Sequence, residues 1–230
     1  MKKLLITIFT VLCLVGCNKE TATNPESDDI YYSYTDEISP NQIQDLDVNA
    51  ELIHEYTPEY MKSVSDSIII GTIDSIDSSD MKYNSVVGYT YGTLTVQNVL
   101  YGNLSVGEKI EYAKPGGIIE YSEWNEAQPE EDQNKRAYLL NQHNEESPQY
   151  VDILVENDIH IEAGKTYLIY LKHSNDMNKY EVTGLGNGLR EVVGISRDNT
   201  DFTNLDNLKI KNNNTEKNED LTEYIEKHIK

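Results

Sequence analysis

The chain has two cysteines, Cys13 and Cys17, and both stand close to its first residue. Everything downstream lacks a thiol, so no disulfide can staple the body together. Folding there must rest on an apolar core alone, and a chain of 230 residues is long enough to build one. The apolar material lies in β-branched and aromatic runs. Residues 67–76 (SIIIGTIDSI) and 166–171 (TYLIYL) read as core strands. Residues 86–99 form a longer run interrupted by Gly88 and Gly92, and glycines inside a long strand mark coiling or a sharp bend. Residues 108–113, 151–155, 179–183 and 190–195 complete the predicted set, which makes the fold mainly β.

Helices are few. Residues 50–56 read as a short one. Thr57-Pro58-Glu59 then reads as a helix start, with Thr57 as cap, Pro58 at the first position and Glu59 at the positive end of the dipole. Residues 118–150 interrupt the strand spacing and read as an insertion, with a helix over 131–142. Residues 184–188 (GLGNG) are expected to be loop. Residues 196–217 are rich in Asn and Asp and read as a mobile linker. In residues 218–230 Leu221, Ile225 and Ile229 recur every four positions, which predicts a terminal amphipathic helix docked on the body.

The first residues have their own logic. Lys2 and Lys3 precede an uncharged, mostly apolar run over residues 4–15. That run is shorter than the roughly 20 residues a bilayer requires, and it matches the apolar part of a signal peptide. Leu14-Val15-Gly16-Cys17 resembles a lipobox, the cleavage site of bacterial lipoproteins. This resemblance implies removal of residues 1–16 and a diacylglyceryl group, with palmitate-type chains, on the sulfur of Cys17. Leu14 would fill an apolar pocket, small Gly16 would admit the peptidase, and Cys17 supplies the thioether. Residues 17–49, acidic and poor in apolar side chains, read as a flexible tether with a reach of roughly 30 Å. The expected location is the outer face of the cell membrane. Abundant Lys, Asn, Ile, Tyr and Asp point to a Gram-positive source.

Charge narrows the partners. The formal net charge is −21, with 40 acidic against 19 basic side chains. Such a body is repelled by phosphate backbones, which argues against nucleic acid, and by anionic lipid headgroups.

The stretch 67–193 resembles a group of bacterial extracytoplasmic domains with a small OB-like β-barrel, similar to the barrel of netrin modules and tissue inhibitors of metalloproteinases. The resemblance rests on SDSIIIGTID, on TVQNVLYGNLSVGEKIEY, on Pro115-Gly116-Gly117, on IEAGKTYLIYL and on YEVTGLGNGLREV. It implies a barrel domain over residues 50–195 with short flanking helices, an inserted helical loop and a C-terminal helix. No functional residue is carried over, because the inhibitors' free terminal cysteine amine and their disulfides have no counterpart here.

Catalytic patterns are missing from the sequence. His54, His143, His160, His173 and His228 are too far apart in sequence to sit together on one helix face. Gly194-Ile195-Ser196-Arg197-Asp198 lacks the second glycine of a nucleophile elbow. The GLGNG run has Leu189 where a dinucleotide fingerprint needs glycine. Asp74, Asp77 and Asp80, three apart near one strand end, form a calcium candidate without EF-hand spacing. Among 17 tyrosines, Tyr89 and Tyr91 share a strand face, and Tyr121 neighbours the chain's single tryptophan, Trp124, inside the insertion. Tyr121 and Trp124 are the candidate ligand contacts, since insertion loops carry function. The expectation is a monomeric, non-enzymatic binding domain of the cell envelope that holds no cofactor and meets an envelope protein or glycan. The alternatives are a glycan hydrolase with paired carboxylates and a structural lipoprotein without a ligand.

Overall fold

A computed structural model describes residues 31–48, 55–83, 87–143, 145–155, 158–195 and 202–230. The expected signal peptide, the expected lipobox residues Leu14, Val15 and Gly16, Cys17, His54 and most of the predicted 50–56 helix lie outside the described residues. In chain order the elements are β1 (Tyr32–Ser33), β2 (Ile43–Val48), α1 (Pro58–Val64), β3 (Ser67–Asp80), β4 (Tyr89–Tyr101), β5 (Lys109–Pro115) and β6 (Gly117–Glu120). They continue with α2 (Tyr121–Glu126), α3 (Glu130–His143), β7 (Tyr150–Val155), β8 (Thr166–Ser174), β9 (Lys179–Val182) and α4 (Leu185–Gly188). The last are β10 (Leu189–Val193), β11 (Lys209–Lys211), β12 (Asn218–Asp220) and α5 (Leu221–His228).

The fold is mainly β. Strand β3 pairs antiparallel with β4, β4 with β5, and β8 with β9. A parallel pair, β5 with β9, joins the two groups, and β3 also pairs antiparallel with β8. These five strands therefore form a ring of hydrogen-bonded neighbours, in the order of a small OB-like barrel. Four register shifts along β3 and β4 bend that long hairpin around the ring.

The unbroken apolar runs follow from burial on both faces. Ile69, Ile73, Leu94, Tyr112, Tyr167, Ile169 and Leu171 form one core cluster. The alternate residues Ile68, Ile70, Leu168 and Tyr170 face the other way, into a second cluster with Met61 of α1 and Leu221, Tyr224 and Ile225 of α5. A strand covered on both sides needs no polar face, so the SIIIG and TYLIYL runs replace alternation. Helix α1 starts as expected: the Thr57 hydroxyl accepts from the Tyr60 amide and Pro58 sits in the first turn. Helix α5 is capped by Asp220, whose side chain accepts from the Glu223 amide, and it buries Leu221, Ile225 and Ile229. Inside that second cluster the Tyr170 and Tyr224 hydroxyls meet at 3.1 Å. Tyr224→Phe should cost about 1 kcal/mol of stability, read from urea unfolding. A loss above about 3 kcal/mol would mean that the hydroxyl does more than bond Tyr170.

Four expectations need correction. The tether, read over residues 17–49, is folded from residue 31 to 48. Strand β1 pairs parallel with β3, and β2 pairs parallel with β7 over six residues. Tyr34 packs on the barrel core, its hydroxyl donating to the Ile118 carbonyl and lying 2.7 Å from Ser79 Oγ. Tyrosines supplied the anchoring that a count of aliphatic residues missed. The linker read over 196–217 also joins the body. Phe202, Leu208 and Ile210 are buried in the second cluster, and β11 pairs with β10 and β12. Scattered apolar residues among Asn and Asp are enough once a helix lies over them. The insertion begins as a strand: β6 pairs with β7. The GLGNG segment makes one helical turn, α4, entered through Gly184 with φ +84.

Burial pushes the hydroxyls of Tyr34 and Tyr89 up to about 12, the Glu181 carboxylate adding to the effect at Tyr89. The neutral phenol is thus favoured in the folded state. The stability this contributes is complete below the free-tyrosine value near about 10. It is lost as pH climbs from there through 12. Tyrosinate absorbance should show these two side chains ionising later than free tyrosine, and coincident ionisation would contradict their burial.

Candidate functional site

Beside the barrel lies a small three-stranded sheet in the order β2-β7-β6. Met81, Ile119, Val151 and Ile153 form its own core, with Leu46, Val87, Tyr121 and Trp124 packed against them. The chain leaves β6 directly into α2, and the Tyr121 amide donates to the Gln149 carbonyl at 3.0 Å. The Glu123 carboxylate accepts the Met81 amide at 3.0 Å, tying α2 to the end of β3. Tyr121 and Trp124, three apart, share a helix face. Their ring centroids lie 5.7 Å apart at a 45° tilt.

Helix α3 carries Glu130, Glu131 and Asp132 in its first turn, where the positive end of the dipole favours them. None of its residues is fully buried. It is held to α2 through side chains. Gln133 Nε2 donates to the Gln128 carbonyl at 2.8 Å. Arg136 Nε donates to Asn125 Oδ1 at 2.9 Å. The Arg136 guanidinium carbon stands 4.6 Å from the Trp124 ring centroid, a cation–π geometry. Its Nη2 is buried and has no hydrogen-bond partner among the described residues.

Between β2 and these helices is a cavity of about 150 Å³. Gln44 and Leu46 of β2 form one wall, Tyr121 and Trp124 of α2 the floor, and Arg136, Leu139 and Leu140 of α3 the roof, with Pro148 beside them. The walls are mostly apolar, with a single cation. Tyr138 and Leu139 on α3 are 65% and 43% exposed. The structure therefore brings together Tyr121 and Trp124, the two contacts expected from sequence. Arg136, Gln44 and Leu46 were missed. A lone arginine three and four residues before a Leu-Leu pair on an acidic helix was the available signal for Arg136. Gln44 and Leu46 lay in the segment read as a tether.

The calcium candidate is not assembled. Asp74 accepts from Thr95 Oγ1 at 2.7 Å and lies 3.5 Å from Lys109 Nζ. Asp80 accepts from Tyr91 Oη at 3.0 Å and pairs with Lys82. Asp77 is exposed on the strand between them. Asp74 and Asp80 are thus engaged by separate partners, and among the described residues no group of three His, Cys, Asp or Glu is placed to hold a metal ion. Tyr89 and Tyr91 do neighbour each other, centroids 6.3 Å apart, with hydroxyls on Glu181 and Asp80.

The histidines are dispersed. His160 pairs with Asp152 at 2.9 Å, His228 with Glu59 at 2.8 Å, and His173 stacks edge-on against Tyr180. A cavity near α5 contains Glu219, Asp220 and Glu223. There Glu219 pairs with Arg190 at 2.9 Å and Asp220 caps the helix, so two of its carboxylates hold the fold. No helix among the described residues is long and apolar enough to cross a membrane. Compared with family models, curated proteins and solved structures, the chain matches none.

Proposed function

We propose that this chain is a membrane-anchored extracytoplasmic lipoprotein whose folded body is a binding domain of the cell envelope. The anchor is the thioether at Cys17, supported by the two lysines, the short apolar run and the Leu14-Val15-Gly16-Cys17 box. The contact surface is the cavity between β2, α2 and α3. The observation that carries this reading is an apolar, tryptophan-floored cleft roofed by a helix with no fully buried residue. A helix kept for stability would bury an apolar stripe. This one leaves Tyr138 and Leu139 in solvent beside the cleft, as a ligand-facing surface does.

Two measurements test the reading. A palmitate analogue fed to cells should label the wild-type protein and leave Cys17→Ser unlabelled; equal labelling of both would remove the anchor. Replacing residues 130–143 by a glycine-serine linker should leave the circular dichroism of the β body intact and abolish partner capture at the membrane. Undiminished capture would remove the cleft from the proposal.

A further inference from the structure

We propose that the cleft receives one apolar side chain of an extended, basic peptide segment, which adds as a new strand to the open edge of β2. This rests on the binding-domain reading above and names the kind of partner.

Strand β2 is the last strand of its sheet: β7 pairs with one edge, and no described strand pairs with the other. An unpaired edge offers a row of backbone donors and acceptors, and an added strand lies about 4.8 Å further out. Gln44 and Leu46 of this same strand line the cleft. Side chains of an added strand alternate between faces, so every second one is carried toward α3. The cleft, about 150 Å³ in volume, suits a single leucine- or valine-sized side chain. Leu46, Trp124, Leu139 and Leu140 surround it with apolar contact. The buried Nη2 of Arg136 is without an acceptor among the described residues. A backbone carbonyl beside the inserted side chain supplies that acceptor, which a purely hydrocarbon ligand does not.

Charge selects the rest of the peptide. Asp45 is exposed on β2, and Glu130, Glu131 and Asp132 are exposed in the first turn of α3. Lys135 is the only exposed cation among the α3 side chains. The chain as a whole carries −21. Lysine or arginine on either side of the apolar residue meets this surface favourably, and an acidic segment is repelled.

The probe is a short, acetylated and amidated peptide that alternates lysine with leucine, labelled for fluorescence anisotropy with the full chain. Binding is expected, weakening as salt rises. A peptide with glutamate in place of lysine should not bind. N-methylation of alternate backbone amides, which removes strand donors and leaves every side chain, should weaken binding more than about tenfold. Trp124→Ala should do the same. Because Trp124 also packs on the small core, Leu139→Asp on the exposed roof is the second variant, with the same loss expected and the fold kept. Absence of lysine-peptide binding, or equal affinity of the N-methylated peptide, overturns strand addition. If capture of the envelope partner still requires residues 130–143 while these peptides fail, the binding-domain reading stands and only the peptide is refuted. A glycan captured through Trp124 would likewise refute the peptide alone.

Discussion

Lys114→Ala should lower the unfolding free energy by about 3–5 kcal/mol. Lys114 Nζ lies 2.7 Å from Asp158 Oδ2, and the two side chains are 4% and 0% exposed. Oδ1 of the same carboxylate accepts the Ile159 amide at 2.8 Å, and Lys114 also donates to the Pro115 carbonyl at 3.0 Å. The pair thus ties the end of β5 to the chain beyond β7. Removing the ammonium leaves a buried carboxylate without its counter-charge, and that desolvation sets the size of the loss. The double variant Lys114→Met, Asp158→Leu should recover most of it, because it buries no charge. Lys230→Ala, which breaks an exposed pair with Glu226, should cost less than about 1 kcal/mol. Urea unfolding of the three proteins checks the ordering. A Lys114→Ala loss as small as that of Lys230→Ala would show that water reaches the buried pair.

The second large effect comes from Gly92→Ala. Gly92 lies in β4 opposite Ile76 of β3, and it is not in the left-handed region. Space is the constraint. A Cβ there would overlap the Ser75 carbonyl oxygen and stand 2.7 Å from Tyr112 Oη. The Tyr112 hydroxyl donates to that same carbonyl at 3.0 Å. The substitution must therefore push two paired strands apart and break a half-buried hydrogen bond, for a loss of about 3 kcal/mol. Gly71→Ala is the control. Its Cβ would meet only methyl ends, Ile69 and Leu94 at 3.1 Å and Ile169 at 3.4 Å. Side-chain ends yield, so about 1 kcal/mol is expected there. Equal losses at the two positions would contradict the tight coil of the β3–β4 hairpin.

These two sites show what a sequence can and cannot disclose. Gly92 was legible as a bend marker, because a glycine in a long β-branched run has few other uses. Its reason, the approach of Ser75 and Tyr112, needed the register of three strands. The runs that became β3 and β8, the Thr57-Pro58 helix start and the Leu221–Ile225–Ile229 repeat were readable from local chemistry. The β2–β7 pairing was not, since a parallel pair joins segments far apart in the chain with no turn between them. Residues 31–48 looked like a spacer because apolar anchors are few there, yet Tyr34 packs on the barrel core and Leu46 on the core of the small sheet. Phe202, Leu208 and Ile210 were hidden for the same reason. At the candidate site the aromatic floor was readable from Tyr121 and Trp124. The cleft depended on β2 and on the placement of Arg136, both tertiary facts.

The surface between β2 and α3 is expected to meet a partner on living cells. A photoreactive benzophenone side chain placed at position 139, on the exposed roof of the cleft, reports this directly. The comparison position is 106, still more open to solvent (Val106 is 67% exposed) but in the turn between β4 and β5. The expected result is a discrete crosslinked species from position 139, absent from position 106 and absent when Trp124→Ala is added. Identical crosslinking from both positions, or a species indifferent to Trp124, would contradict it.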